Sequence, residues 1–397
     1  MKIAHVIQEY YPALGGGPLA VYLRVRALNK IGIENEVFTT NIVNTAKKTT
    51  IEAGSYCEDS VTIHRLSAIN LNPHYVIVPR LFTNLLKSDC DIYHAYGYGY
   101  FATEVTALVS KLTDRPMIFS PCGYFPATMH VNSIFTNAYR LIANKNSLRI
   151  SRFILVDSND DYNIYSTFAQ KNKIRIIPGP TLEETVLGQN FSSFEFKRRY
   201  GINSPYFFCL GRINQSKGFQ NVIASIPKFF KLSCNNDIQF VIAGADQGYS
   251  TALRALARSL GVDEKVRIIE NLEENLKFPA MSGALAFVLP SFYETYGSVV
   301  NEAMAVGTPV ICTKFGGAYE KLPEGELSRI VDPRDERQMA EALYWAYTLG
   351  QEDISRIRKA YREAVIKGHT VESTSKKVSE IYEYVMRNEK FGKMPKL

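Results

Sequence analysis

The chain has 397 residues, 46% of them hydrophobic and 21% charged. That length exceeds what one hydrophobic core supports, and the composition excludes disordered, collagen-like and disulfide-scaffold classes. The net charge of +7 comes from 46 Lys and Arg against 39 Asp and Glu, with no run of five basic residues, a balance that disfavours nucleic acid and suits an anionic small ligand or a membrane surface.

The N-terminus, MKIAHVIQEYYP, lacks the long apolar region and cleavage site of a secretion signal and reads as a first strand. No apolar run reaches the roughly 18 to 20 residues of a membrane span. The protein is therefore expected in the cytoplasm, at most touching the inner face of the membrane. The six cysteines (57, 90, 122, 209, 234 and 312) form no CxxC pair, as expected of reduced thiols.

Strands are predicted at 2–7, 35–39, 61–66, 91–95, 116–120, 152–157 and 173–177, with helical patterns between them. Pro178-Gly179-Pro180 and a polar stretch to about residue 193 interrupt this rhythm. It restarts with strands at 205–210, 237–243, 265–269, 284–289 and 308–312, and three helical patterns follow from about residue 335. The alternation predicts an α/β protein with two doubly wound, Rossmann-like domains facing across a cleft. The expected domains are 1–185 and 186–370. Residues 371–397 form a C-terminal helix and basic tail free to return to the N-terminal domain.

Three motifs carry chemistry. Gly15-Gly16-Gly17-Pro18 opens the helix predicted at 18–31, where free N–H groups and the helix dipole favour a phosphate; the bland alternative is a tight turn. It is not GxGxxG, so a dinucleotide is disfavoured. Next, strand 205–210 ends in Gly211-Arg212, with Lys217-Gly218 opening a helix at 217–232. Two cations at a strand's carboxyl end and a helix N-terminus suit a diphosphate leaving group, unless they are simply solvated. Last, strand 284–289 runs into PSFYETYGS and a helix with Ser298 as expected N-cap and Gly307 as C-cap. Glu294 and Glu302, eight positions apart, flank that helix start and could hold sugar and ribose hydroxyls.

GRINQSKG, followed at about eighty residues by SFYETYGSVVNEAMAVGTPV, resembles retaining nucleotide-sugar glycosyltransferases of family 4 and the GT-B fold. The resemblance extends over both domains. It implies that Arg212 and Lys217 neutralise the donor diphosphate, that Glu302 holds the ribose and that Glu294 holds the transferred sugar. Backbone amides of Thr295, Tyr296, Gly297 and Ser298, and of Gly16 and Gly17, would meet the sugar and phosphates. In this sequence Cys122 stands where the family carries a histidine, and a thiol does not replace that polar contact. Pro178-Gly179-Pro180 likewise replaces a common Asn-Gly.

His94, Tyr96 and Cys122 are the expected acceptor-side residues, although a lone strand histidine is more often structural. Tyr93, Tyr96, Tyr98 and Tyr100 form either a stacking platform for an acceptor sugar or half-buried core. Asp89-Cys90-Asp91 spells a metal-binding DxD, but it precedes a buried strand, and the basic clamp makes a metal redundant. The expected activity is transfer of a UDP- or GDP-linked sugar to a glycan or lipid-linked acceptor, without metal or other cofactor. The helical stretch 132–150, with Phe135, Tyr139, Leu141, Ile142 and Leu148 among Arg140, Lys145 and Arg149, is the expected peripheral membrane contact. The alternatives are an epimerase or sugar phosphorylase of the same fold, or a non-catalytic nucleotide-sugar-binding protein.

Overall fold

The structure, a computed structural model, describes residues 1–13, 15–44, 48–72, 75–122 and 146–387. The chain divides into two compact units, Met1–Thr181 with His369–Leu397, and Leu182–Gly368.

The N-terminal unit is built on an eight-stranded sheet. From edge to edge its strands are Gly54–Glu58, Val61–Leu66, Glu34–Thr40, Lys2–Val6, Ile92–Tyr96, Met117–Ser120, Phe153–Val156 and Ile174–Ile176. All pairings are parallel except the hairpin of the first two. The central strands are buried along their length apart from Lys2, because helices cover both faces and period-two alternation gives way to continuous apolar runs. Helices Leu81–Lys87, Phe101–Thr113 and Asn159–Tyr165 pack on one face. Gly16–Lys30 and the C-terminal helix Val371–Met386 pack on the other.

Why the last helix belongs here is visible in its apolar stripe. Val378, Ile381, Tyr382 and Val385 recur at helical spacing and bury against Ile3, Leu28, Ile118 and Phe153. Its start is fixed by Thr370 Oγ1, which accepts from Ser373 N at 3.1 Å.

The C-terminal unit carries a six-stranded, wholly parallel sheet in the order Val266–Glu270, Gln239–Gly244, Tyr206–Leu210, Phe287–Leu289, Val310–Thr313 and Ser328–Val331. The hairpin strand Gly54–Glu58 and the edge strand Ser328–Val331 are absent from the predicted set, being polar or half-exposed and so poor in the apolar run that marks a buried strand. Phe208, Phe287 and Met304 fill one side of the sheet. Phe207, Phe229 and Phe240 fill the other. Each such aromatic contributes roughly 1.5–3 kcal/mol by leaving water. Helices Glu336–Tyr347, Gln351–Gly368 and Val371–Met386 are the three patterns expected after residue 335.

Candidate active site

The strand order decides where ligands bind. In the C-terminal unit the chain lays Tyr206–Leu210, Gln239–Gly244 and Val266–Glu270 in one direction. It then returns to place Phe287–Leu289 on the other side of the first strand. The loops leaving the carboxyl ends of two neighbouring strands thereby diverge and open a crevice between them. These loops are 211–218 and 290–297, which hold the second and third motifs.

The loops are fastened to each other. Phe292 N donates to Ser216 O at 3.0 Å. Gly218 has φ 70°, and a Cβ there would lie 1.9 Å from Pro290 O, so only glycine permits this crossing. On the far side Glu294 N donates to Phe315 O and Gly317 N to Thr295 O. Gly316, at φ 85°, would otherwise drive a Cβ to 2.2 Å from Glu294 O.

Across this junction Lys217 Nζ lies 2.6 Å from Glu294 Oε2, and Ser291 Oγ donates to the same oxygen at 3.1 Å. Arg212 is exposed and makes no ion pair among the described residues. Ile213 anchors its loop: it is fully buried and bonded through its backbone to Ala245 and Gln247. Two details differ from the sequence reading. Lys217 ends a short 3-10 turn, and the helix begins at Phe219, because Gly218 takes a left-handed conformation at its N-cap. Gly297, not Ser298, caps the helix Ser298–Val306, with Ser298 its first residue and no side-chain cap bond. The first bond of the helix is made by Val300 N to Gly297 O at 2.9 Å, so the N–H groups of Ser298 and Val299 precede its ladder. Gly307 closes the helix in the left-handed region, φ 76°.

Glu302 is 6% exposed. Its Oε1 accepts from Lys277 Nζ at 3.1 Å, and its Oε2 is buried without a hydrogen-bond partner among the described residues. Burial raises its pKa above the usual carboxylate range, against the opposing pull of Lys277 and Lys321. An unmet buried oxygen of this kind costs roughly 1–3 kcal/mol, more when charged. Lys277 and Lys321 are additions to the expected site. Lys321 Nζ donates to the carbonyls of Tyr296 and Gly297, and it sits 3.5 Å from the Tyr296 ring centroid. No motif spacing singles them out, yet Lys277 follows strand Val266–Glu270, whose carboxyl end is on the ligand edge.

In the N-terminal unit Gly15 is the N-cap of helix Gly16–Lys30, and the N–H groups of Gly16 and Gly17 lack intrahelical partners. His94 and Tyr96 are fully enclosed and present no surface to a ligand. His5 Nε2 donates to Asn35 Oδ1 at 2.9 Å, leaving Nδ1 to accept from the Tyr96 hydroxyl at 2.9 Å. His94 Nδ1 lies 2.6 Å from the Tyr382 hydroxyl and Nε2 lies 2.8 Å from Ser120 Oγ. Burial holds His94 well below its ordinary value and His5 down to about 3, so both are neutral. Cys122 is exposed at φ 55°, and its thiol donates to Ser120 O at 3.5 Å. Tyr93 is core, whereas Tyr98 and Tyr100 are half-buried.

Asp89 and Asp91 sit at the opposite, amino end of the strands. Asp89 pairs with Lys2 Nζ at 2.6 Å and Asp91 Oδ2 accepts from Lys2 N at 2.8 Å. In the linker region Gly179 N donates to Asp157 Oδ1 at 2.8 Å and Pro178 O accepts from Arg24. Phe135, Tyr139, Arg140, Leu141, Ile142 and Lys145 lie outside the described residues.

Two doubly wound domains, the second with a basic and acidic crevice at its switch point, have the fold of GT-B glycosyltransferases. Residues 192–364 match the family described as "Glycosyl transferases group 1". The C-terminal unit is a group 1 glycosyltransferase domain, and the protein is an enzyme that transfers sugars. The chain is 26% identical over 329 residues to a D-inositol 3-phosphate glycosyltransferase of Corynebacterium glutamicum, covering 78% of this chain and 75% of that one. It is 23% identical over 312 residues to a GDP-mannose:cellobiosyl-diphosphopolyprenol alpha-mannosyltransferase of Xanthomonas campestris, covering 77% of each. Among solved structures, Anabaena HepE in complex with UDP superposes with a TM-score of 0.78 at 16% identity, covering 97% of this chain and 100% of that one.

Proposed function

We propose that the protein is a retaining, metal-independent hexosyltransferase that moves a UDP- or GDP-linked sugar to a glycan or lipid-linked acceptor. The observation that carries this reading is the junction of Arg212, Lys217 and Glu294 at the carboxyl ends of two adjacent strands. Arg212 and Lys217 supply the positive charge that a departing nucleoside diphosphate needs, in place of a metal. The amides from Thr295 to Ser298, in the loop and at the start of the helix, add donors for sugar and phosphate. Glu294 holds hydroxyls of the transferred sugar, and Glu302 those of the ribose.

In the reaction the bond between the anomeric carbon and the diphosphate oxygen breaks. The acceptor hydroxyl forms the new bond, and its proton passes to the leaving phosphate oxygen. Attack from the face the diphosphate leaves is what the resemblance to retaining family 4 enzymes implies, with Glu294 on the hydroxyls of the transferred sugar. The residues mainly position reactants and stabilise charge.

The acceptor falls to the N-terminal unit, and one corner of that unit fits an anionic membrane. Arg149, Arg152, Lys171 and Lys173 make no ion pair among the described residues. Burial and then Arg152 lower the pKa of Lys173, with no carboxylate opposing them. Phe168 and Ile176, each three positions along the chain from Lys171 or Lys173, are exposed. A lipid-linked acceptor, such as the name of the Xanthomonas relative describes, would be met at such a surface.

The deciding experiment is a thermal-shift screen of nucleotide-diphospho sugars, followed by mass spectrometry of products with candidate acceptors. A stabilising UDP- or GDP-sugar whose sugar appears on the acceptor with its anomeric configuration kept supports the reading. Epimer formation without acceptor, or phosphate-dependent disaccharide cleavage, would replace it by the epimerase or phosphorylase alternative.

A further inference from the structure

Lys277 begins the helix Lys277–Ser282, and only 12% of its side chain is exposed. Its ammonium joins two carboxylates, Glu302 Oε1 at 3.1 Å and Glu274 Oε1 at 2.5 Å. The Phe278 ring lies 5.0 Å below it. The three residues form a chain, Glu274–Lys277–Glu302, that runs from the surface to a carboxylate with one bound oxygen and one unmet oxygen. The charged groups facing Glu302 are Lys277 and Glu274 on one side and Lys321 on the other. Lys321 donates to the Tyr296 and Gly297 carbonyls, and among the described residues the bond to Glu302 Oε1 comes from Lys277.

A carboxylate this enclosed has two ways to relax. It can take up a proton, or it can rotate to satisfy its free oxygen elsewhere. A bond from a buried ammonium to Oε1 opposes both, since it stabilises the charge and fixes the side-chain torsions.

We propose that Lys277 is a positioning residue of the donor site: by holding Glu302 Oε1 it aims Oε2 at the ribose hydroxyls of the donor nucleotide. The proposal rests on Glu302 as the ribose contact. Lys277 itself need not touch the donor. Glu274 completes the arrangement by holding the ammonium from the solvent side.

The test measures calorimetric binding of UDP, GDP and ADP between pH 6 and 9, then compares the tightest of them with its 2′-deoxy form. In Lys277→Met the ribonucleotide Kd rises about tenfold at pH 7, while the deoxy form changes less than threefold. With the cation gone Glu302 is harder to ionise, so the acid limb of binding moves up by about one pH unit, the equivalent of that tenfold change. Donor KM rises with kcat within threefold, and Lys277→Arg recovers most of the affinity. Lys277→Gln, which keeps a donor without charge, reads the same discrimination should the Met variant fail to fold.

A folded Lys277→Met or Lys277→Gln protein with the wild-type ribose preference and pH profile overturns the proposal. Glu302→Gln separates the two readings. If it also keeps the wild-type ribose preference, Glu302 is not the ribose contact and Lys277 loses its role with it. If it loses that preference while both Lys277 variants keep theirs, Lys277 alone is refuted.

Discussion

Lys217 and Glu294 lie 77 positions apart and meet at 2.6 Å, each side chain less than one-fifth exposed. The ammonium is thereby held at the switch point of the sheet. A bound diphosphate and Glu294 would compete for it. Replacing Glu294 with Gln therefore leaves nucleoside-diphosphate affinity equal or improved, while turnover falls by on the order of 10² or more. Calorimetry with UDP and GDP beside steady-state kinetics separates the two effects, and parallel loss of both would contradict the division of labour between these residues.

Arg212→Ala and Lys217→Ala should each lower kcat by about 10² to 10³, on the scale of one lost charge-stabilising donor. Arg212 is exposed and Lys217 ends a short turn, so neither change removes core packing. The melting temperature should hold, and near-wild-type turnover in the folded double variant would rule out the diphosphate clamp.

With cationic side chains as the source of positive charge, turnover should survive excess EDTA. Asp89 and Asp91 are engaged with Lys2 at the amino end of their strand, away from the ligand edge. Abolition of activity by chelator and its restoration by a divalent ion would overturn the metal-free account.

Vesicle co-sedimentation tests the basic corner. Binding should appear with anionic phospholipid, weaken with salt, and drop when Arg149, Arg152, Lys171 and Lys173 become Gln, at roughly 1 kcal/mol per charge. Equal recovery in the supernatant with neutral and anionic vesicles would leave a soluble acceptor as the remaining choice.

Acid should destabilise the N-terminal unit through its buried histidines. His5 and His94 are held neutral by burial, His5 with a pKa of about 3, whereas the unfolded chain protonates both near 6.5. Their contribution to stability is complete above pH 6.5 and is lost as pH falls below it, by up to about 1.4 kcal/mol per histidine per pH unit. Urea denaturation from pH 8 to 5 measures the slope. His94→Gln should flatten it, and Tyr382→Phe should cost about 1 kcal/mol at neutral pH through the bond lost from the last helix.

The sequence by itself determined the fold class, most of the strands and where the candidate donor-side residues stand along the chain. Buried parallel strands must be continuous apolar runs, and a crevice at a switch point must be lined by the loops that follow them. Arg212, Lys217 and Glu294 therefore stand in readable positions just after YFFCL and FVL. Tertiary structure alone decided which side chains face each other. In the sequence His94 is open to an acceptor-side or a structural reading, and Tyr382, 288 positions later, and Ser120 decide it by bonding both ring nitrogens. The sequence leaves the C-terminal helix free to return to the N-terminal domain, without fixing where it packs. Its membership of the first unit follows from an apolar face that finds Ile3, Leu28 and Phe153. Lys277 has no motif at all, since its place beside Glu302 comes from the packing of helix Lys277–Ser282 on helix Ser298–Val306. Spacing along a chain encodes the period of an element and the end of a strand. Contacts between distant elements depend on how whole faces pack, and no local pattern records that.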